Sequence, residues 1–508
     1  MLGIIKTYTN TSRIGSPAVR KPPPGSPPPA PTIAADAGRL NRLFWAWKLL
    51  LILIAVVSPG PGYDTSTDLW LAIDRDTDIV PWTAWPAQRL VSRLVRWDAL
   101  YFSTSSARGH QTEQEWAFSR SHAIFTWLVA KFIPHFLHPS RLVRNAIAGI
   151  AVSHAAHLAA VLVLYLFVRS AIPSSEQRKA KIAYIAACLH IVSPAGIFLS
   201  APYGEASYAF WSSIGAYCYL SAIKARQPPP SSQSQHIPTI WLVLSGFCFG
   251  CSALVRSNGV LNGIIFAADA SVFIHRRLTH GGHKGGLESL VTYVAAGALT
   301  GLGFVLPQLV AYLEYCTGGN TRPWCTALPP SIYTFVQSHY WNVGLFNYWT
   351  LSNMPLFLLA TPMFLVLFST AYTAFHHGHI SSESEKIHAQ RTESKDPDEE
   401  PFEAAMFVHV MRRLALPQLL LAVLALSSSH VQIVNRISSG YPLWYVMLAM
   451  AVHVDADPSA GKNYTVGRYA LFSRLGKWSG VGAQWTVRVM VVYAIVQAGL
   501  FASFLPPA

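Results

Sequence analysis

Charge is scarce in this chain. Only 12% of its 508 residues are Asp, Glu, Lys or Arg, half of the roughly 25% usual in soluble globular proteins. That shortage excludes an ordinary soluble enzyme. Apolar residues make up 52% and mean hydropathy is +0.31, which excludes a chain disordered throughout, because disordered chains are poor in apolar residues. Cysteine is scarce too. Six residues are too few for a disulfide scaffold. No repeat at solenoid periods is visible. The first residues hold no apolar stretch, so a cleavable signal peptide is not expected.

What is present is a series of apolar runs long enough to use lipid as solvent. Residues 1–42 precede them. Eight prolines lie between Pro17 and Pro31, and six Lys/Arg stand against one acid, Asp36. Such composition buries no core and predicts a disordered cytosolic tail. Phe44–Val57 then reads as an uncleaved anchor, preceded by Arg39 and Arg42 and containing Lys48. Ten further runs follow at 145–168, 182–201, 203–223, 239–256, 258–274, 288–313, 355–375, 407–428, 431–452 and 486–505. The fold class expected is an all-α polytopic membrane protein with about eleven spans, residues 43–508 forming one domain.

Cytosolic loops collect Lys and Arg. With the N-terminus cytosolic, the basic segments 169–181, 224–238, 275–287, 376–406 and 453–485 fall on one side. The other side receives 60–144 and 314–354. The net charge of +14 is thereby explained largely by topology, and no nucleic-acid partner is needed. Ile124–Leu137 holds Lys131 and is about 14 residues long, a length that suits an interfacial or re-entrant segment. The large first loop is therefore expected to contain amphipathic helices. Arg141 and Arg144 are its exceptions to the charge sorting. The sequons at Asn10 and Asn463 fall on the cytosolic side and predict no glycan there.

Asp74-x-Asp-x-Asp78 begins like a calcium loop, but Ile79 and Trp85 stand where Gly and Glu are needed. No metal site is expected. Asp98 lies in Arg96-Trp97-Asp98-Ala-Leu-Tyr-Phe102, followed by Glu115-Trp-Ala-Phe118. Aromatic rings with polar tips settle at the membrane interface, and a carboxylate held among them suits general-base work. An ion pair with Arg96 or Arg108 is the other reading. Glu205, Arg256 and Arg436 lie in or beside apolar runs, where charge is costly and faces a cavity or a partner. Arg256 fits a phosphate or a pair with Glu205. Arg436 fits the same chemistry or simple snorkelling. His339-Tyr-Trp341-Asn342 could grip a sugar by stacking and hydrogen bonds, or form an aromatic belt. Cys316 and Cys325 fall in the second non-cytosolic loop, where a disulfide is expected if that side is oxidising. Cys248 and Cys251 read as small core residues. Gly297-x3-Gly301 and Gly303 read as a close-packing helix face.

Taken together, Trp97-Asp98-Ala-Leu-Tyr-Phe with Glu115-Trp-Ala-Phe118, Pro194-Ala-x-Ile-Phe-x-Ser200 with Tyr203-x-Glu205, and Arg256-Ser-Asn258-Gly259 resemble the GPI mannosyltransferase 2 family. So do Arg322-Pro-Trp-Cys325, Gln337-Ser-His-Tyr-Trp-Asn-Val-Gly344 and Pro355-x-Phe-Leu-Leu-Ala-x-Pro362. The blocks run in order over about 40–450. The chain departs from the pattern at Ser119-Arg120-Ser121. The resemblance implies a GT-C type glycosyltransferase of the endoplasmic reticulum membrane with a luminal active site. It implies transfer of the second, α1,6-linked mannose from dolichyl-phosphate mannose to the mannosyl-glucosaminyl-acylphosphatidylinositol precursor. No cofactor is implied beyond that lipid donor. The partners implied are the two lipid substrates, with room for a small accessory membrane subunit. On this reading Asp98 is the catalytic base. Trp97, Glu115, Tyr203, Glu205, Arg256, Asn258, His339, Trp341, Asn342 and Arg436 are the substrate-binding candidates. A lipid or sugar transporter and a non-catalytic subunit of a glycosyltransferase complex are the alternatives. The first is disfavoured by the lack of inverted repeats, the second by three luminal charges with no structural need.

Overall fold

In the computed structural model, the described residues are 31–60, 62–73, 82–226, 237–280, 286–318, 322–388, 399–456 and 482–505. They form helices and turns, with no strand among them. The acids Asp74, Asp76 and Asp78 and both sequons lie outside the described residues.

Helix α1 (Ile33–Val57) opens on Thr32, whose hydroxyl accepts from the Ala35 N–H at 3.2 Å, a usual N-cap. It starts inside the segment read as tail, so the boundary at residue 42 moves back to Thr32; residues 1–30 lie outside the described part. Asp36 and Lys48 are both buried. Lys48 is not a topological flank, because its ammonium donates to the Leu199 carbonyl at 2.7 Å and to the Ser200 hydroxyl at 2.8 Å.

The first large loop carries four short helices: α2 (Ser66–Ile73), α3 (Trp85–Leu94), α4 (Asp98–Arg108) and α5 (Arg120–Ala130). Ile124–Leu137 falls partly in α5, whose 11 residues rise only about 16 Å. That is short of the roughly 30 Å hydrocarbon core, so α5 does not cross. Next come α6 (Arg141–Ala171), α7 (Glu176–Ile191), α8 (Glu205–Lys224), α9 (Ile237–Val255), α10 (Gly263–His280) and α11 (Gly286–Tyr315). The second loop holds α12 (Ile332–Trp341). After it stand α13 (Met354–His388), α14 (Glu399–Ser428), α15 (Val434–Ile437), α16 (Pro442–Ala456) and α17 (Ala483–Ala502).

Eight helical segments among the described residues are long and apolar enough to cross a bilayer. They belong to α1, α6, α9, α10, α11, α13, α14 and α17. The expected count of eleven is therefore matched by eight on these criteria. Two apolar runs are not continuous helices. The run 182–201 ends as helix at Ile191 and passes into a 3₁₀ turn at Gly196–Leu199. Pro194 and Pro202 explain the break, and the freed carbonyls are satisfied internally: Lys48 takes Leu199, and the Ser153 hydroxyl donates to Ala201 at 2.8 Å. This is how irregular backbone survives at membrane depth. The run 431–452 likewise begins with 3₁₀ turns around α15 before α16.

The core is made by α8 packed between α6 and α9, with α9 against α11. Glycines set that last contact, and of the three the sequence singled out only Gly303 does so. Gly301 has open space where a Cβ would stand, and at Gly297 a Cβ would make only ordinary contact with Phe266. A Cβ at Gly303 would instead overlap the Gly250 backbone, and at Gly246 the Ala296 backbone. Close backbone approach of this kind is a recurrent membrane device. Gly303→Val therefore destabilises the purified protein by about 1–3 kcal/mol through overpacking, while Gly301→Val changes stability by less than about 0.5 kcal/mol. Unfolding of the two variants in micelles checks the contrast, and equal effects would refute it.

Candidate active site

The site is built where α4, the α7–α8 break, the end of α9 and α15 meet. Asp98 is the first residue of α4 and follows Trp97, whose φ is 53°. A bulky residue rarely occupies that region, and such strain persists only where surroundings enforce it. Here the Trp97 ring packs edge-on to Phe504, centroids 5.3 Å apart. The strained turn sets the direction in which Asp98 leaves the backbone.

Asp98 pairs with neither Arg96 nor Arg108. Arg96 is buried over the Phe504 ring at 4.3 Å, and Arg108 binds Glu115 at 2.7 Å. The Asp98 carboxylate accepts instead from Arg436 at 2.6 Å. Arg436 Nε also lies 3.5 Å from Glu205 Oε1, and the same oxygen accepts from Arg256 at 2.6 Å. The four residues form an alternating ladder, Asp98–Arg436–Glu205–Arg256, with no net charge. Glu205 is fully buried at the N-terminus of α8, where the helix dipole favours an anion. Arg436 does not snorkel. It is held beneath the rings of Phe198 and Tyr203, 5.3 and 5.5 Å from their centroids.

The ladder edges a cavity of about 490 Å³ lined by Trp97, Asp98, Arg256, Asn258, Trp341 and Arg436, among others. Asp98 is the most accessible rung, its side chain 28% exposed. Phe118 and Trp341 form an aromatic wall, meeting edge-on at 5.7 Å, and Tyr101 stacks on Phe118 at 4.7 Å. A carboxylate open to a cavity, two guanidiniums beside it and an aromatic wall make a place for a polyhydroxylated group next to an anion.

A family model described as Mannosyltransferase (PIG-V) matches residues 40–508. The chain belongs to this family. It is 36% identical to GPI mannosyltransferase 2 of Aspergillus fumigatus over 470 residues, covering 92% of this chain and 93% of the relative. It is 37% identical to GPI mannosyltransferase 2 of Gibberella zeae over 476 residues, covering 92% and 97%. Among solved structures, ArnT from Cupriavidus metallidurans in the apo state is similar at 13% identity and a TM-score of 0.42, over 92% of this chain and 78% of that one. The protein is a multi-pass membrane mannosyltransferase of GPI-anchor biosynthesis.

The remaining candidates of this mannosyltransferase lie outside the cavity lining. Glu115 accepts from the Gln111 and Thr112 N–H groups and from Arg108; it pins the loop after α4. Tyr203 is buried and donates to the Arg96 carbonyl at 3.0 Å. His339 stacks on Phe335 at 4.9 Å. Asn342 ends α12 in the left-handed region, φ 50°, and its side-chain oxygen accepts from Asn347 at 3.2 Å. Cys316 and Cys325 form a disulfide beside Trp324, whose indole donates to Glu113 at 3.0 Å. Cys248 and Cys251 are free thiols in α9.

Some cavity residues carry no isolated signal in the sequence. Ser119, part of the departure from the family pattern, caps α5 through His122 N–H and donates to the Leu254 carbonyl at 2.6 Å. His430, Gln432 and Tyr493 also line the cavity. His430 and Gln432 stand just ahead of Arg436, and that proximity is the signal that could have found them. Tyr493 belongs to an apolar run and offers none.

Proposed function

We propose that the enzyme transfers the second mannose, α1,6-linked, from dolichyl-phosphate mannose to the mannosyl-glucosaminyl-acylphosphatidylinositol intermediate. It does so as a GT-C type transferase with its cavity facing the lumen of the endoplasmic reticulum and its N-terminus cytosolic. The observation that carries the reading is the ladder of charges at the cavity edge. Both substrates are lipids with a charged or hydroxylated head, so their reacting atoms meet at the membrane surface. The acceptor hydroxyl loses a proton as it attacks the anomeric carbon, and Asp98 takes it as general base. The bond from that carbon to the dolichyl phosphate breaks through a transition state of oxocarbenium character, as in glycoside hydrolysis. Charge gathers on the leaving phosphate, and Arg256 and Arg436 are placed to stabilise it. Glu205 orients both guanidiniums. Trp341 and Phe118 supply a face for the sugar ring.

Expression of the chain in cells lacking the second-mannose step tests this. The expected outcome is disappearance of the one-mannose precursor and recovery of GPI-anchored surface proteins. Persistence of that precursor despite normal membrane levels of the protein would overturn the reading, and accumulation of a different precursor would move the enzyme to another step.

A further inference from the structure

A second cavity, of about 280 Å³, lies between the end of α5 and the start of α6. It shares no lining residue with the active-site cavity. Lys131, His135, Arg141, Arg144 and Asn145 line it, with Trp127. No carboxylate is among its lining residues. Arg144 is steadied by the His138 and Pro139 carbonyls, and the Lys131 ammonium sits 3.6 Å from the centre of the Trp127 ring.

The charges are misplaced for the fold alone. Arg141 and Arg144 occupy the first turn of a 31-residue helix that has no acid there, although the helix dipole favours anions at that end and opposes cations. They also run against the charge sorting of the loops, given the orientation proposed above. An anion in the cavity would relieve the dipole penalty and meet three cationic side chains. The surroundings say where the anion comes from. Phe125, Leu128, Phe132 and Phe136 are exposed on the stretch of chain that supplies Trp127, Lys131 and His135 to the cavity, an apolar skirt suited to acyl chains and not to a free ion in water.

We propose that this cavity holds the phosphate of an anionic membrane phospholipid, with Lys131, Arg141 and Arg144 around the phosphate and the exposed phenylalanines against the acyl chains. The site fastens the first loop to the bilayer at a point separate from catalysis. The test uses the full chain in detergent micelles, titrated with phosphatidylinositol, phosphatidylcholine or inorganic phosphate. Phosphatidylinositol is expected to bind at least about tenfold more tightly than phosphatidylcholine, and inorganic phosphate not to compete at matched concentration. The double variant Lys131→Gln/Arg141→Gln, at two exposed side chains, is expected to weaken phosphatidylinositol binding about tenfold or more, as two charges lost near a lipid surface would. Equal affinity for the two lipids, unchanged affinity of the double variant, or full competition by inorganic phosphate would each overturn the proposal. Phosphatidylinositol binding is expected to survive Arg436→Gln at the active-site cavity, which separates this site from that of the lipid substrates, and its loss in that variant would overturn the proposal. Because the readout is binding and not transfer, failure here leaves the proposed reaction standing.

Discussion

Replacing Asp98 by Asn lowers mannose transfer by about 10²–10⁴-fold, the range expected when a positioned general base is removed. The substitution keeps shape and an oxygen that can accept from Arg436, which in any case remains beside Glu205. The fold therefore survives, while the group proposed to take the acceptor proton is gone. The measurement is transfer from labelled dolichyl-phosphate mannose in microsomes carrying equal amounts of each protein. A rate within a few-fold of the unaltered enzyme would remove Asp98 from the chemistry. Loss of the protein from the membrane would instead assign it a structural role.

Removing Glu205 has the largest effect on stability. Its carboxylate is fully buried between Arg256 and Arg436. Glu205→Ala leaves two guanidiniums facing each other without their shared anion, and breaking a buried pair in this way costs about 3–5 kcal/mol. The double variant Glu205→Leu/Arg256→Met removes the pair as a whole and recovers much of that loss, since apolar replacement of a buried pair is often close to neutral. Equilibrium unfolding of the two variants in mixed micelles checks the contrast. A loss below about 1 kcal/mol for Glu205→Ala would show that the ladder does not hold the site together.

Much of the architecture was legible because lipid imposes a blunt rule: apolar runs of sufficient length become helices. What was lost concerns continuity and partners. The run 182–201 stays largely apolar through its irregular stretch, because the groups that satisfy its broken backbone, Lys48 and Ser153, come from other helices. Pro194 and Pro202 mark the first break; the second has Gly440, where a Cβ would overlap the Tyr208 ring, and Pro442 at the start of α16. Lys48 read as a flanking charge because composition does not show that a carbonyl and a hydroxyl lie above it. The three glycines read as one close-packing face part company for the same reason: only the neighbouring helix shows that Gly303 meets backbone while Gly297 and Gly301 do not.

The four charged residues at the site were each visible as anomalies, but their order was not. Asp98 sits beside Arg96 and ten residues before Arg108, the partners local reasoning offers, yet its partner is Arg436, 338 residues away. The candidates placed off the cavity, Glu115 and Asn342 among them, stand next to residues that do line it. They hold the loops that present Phe118 and Trp341, and a motif read along the chain does not separate a support from what it supports.

The ladder's long reach bears on how the protein is made. At roughly 5–20 residues per second, Arg436 emerges from the ribosome tens of seconds after Asp98. From the emergence of Arg256 until that of Arg436 the nascent chain holds Asp98, Glu205 and Arg256 with one negative charge in excess. A chain stopped short of Arg436 never loses that excess, and it carries to the membrane a standing mark by which an unfinished copy differs from a finished one.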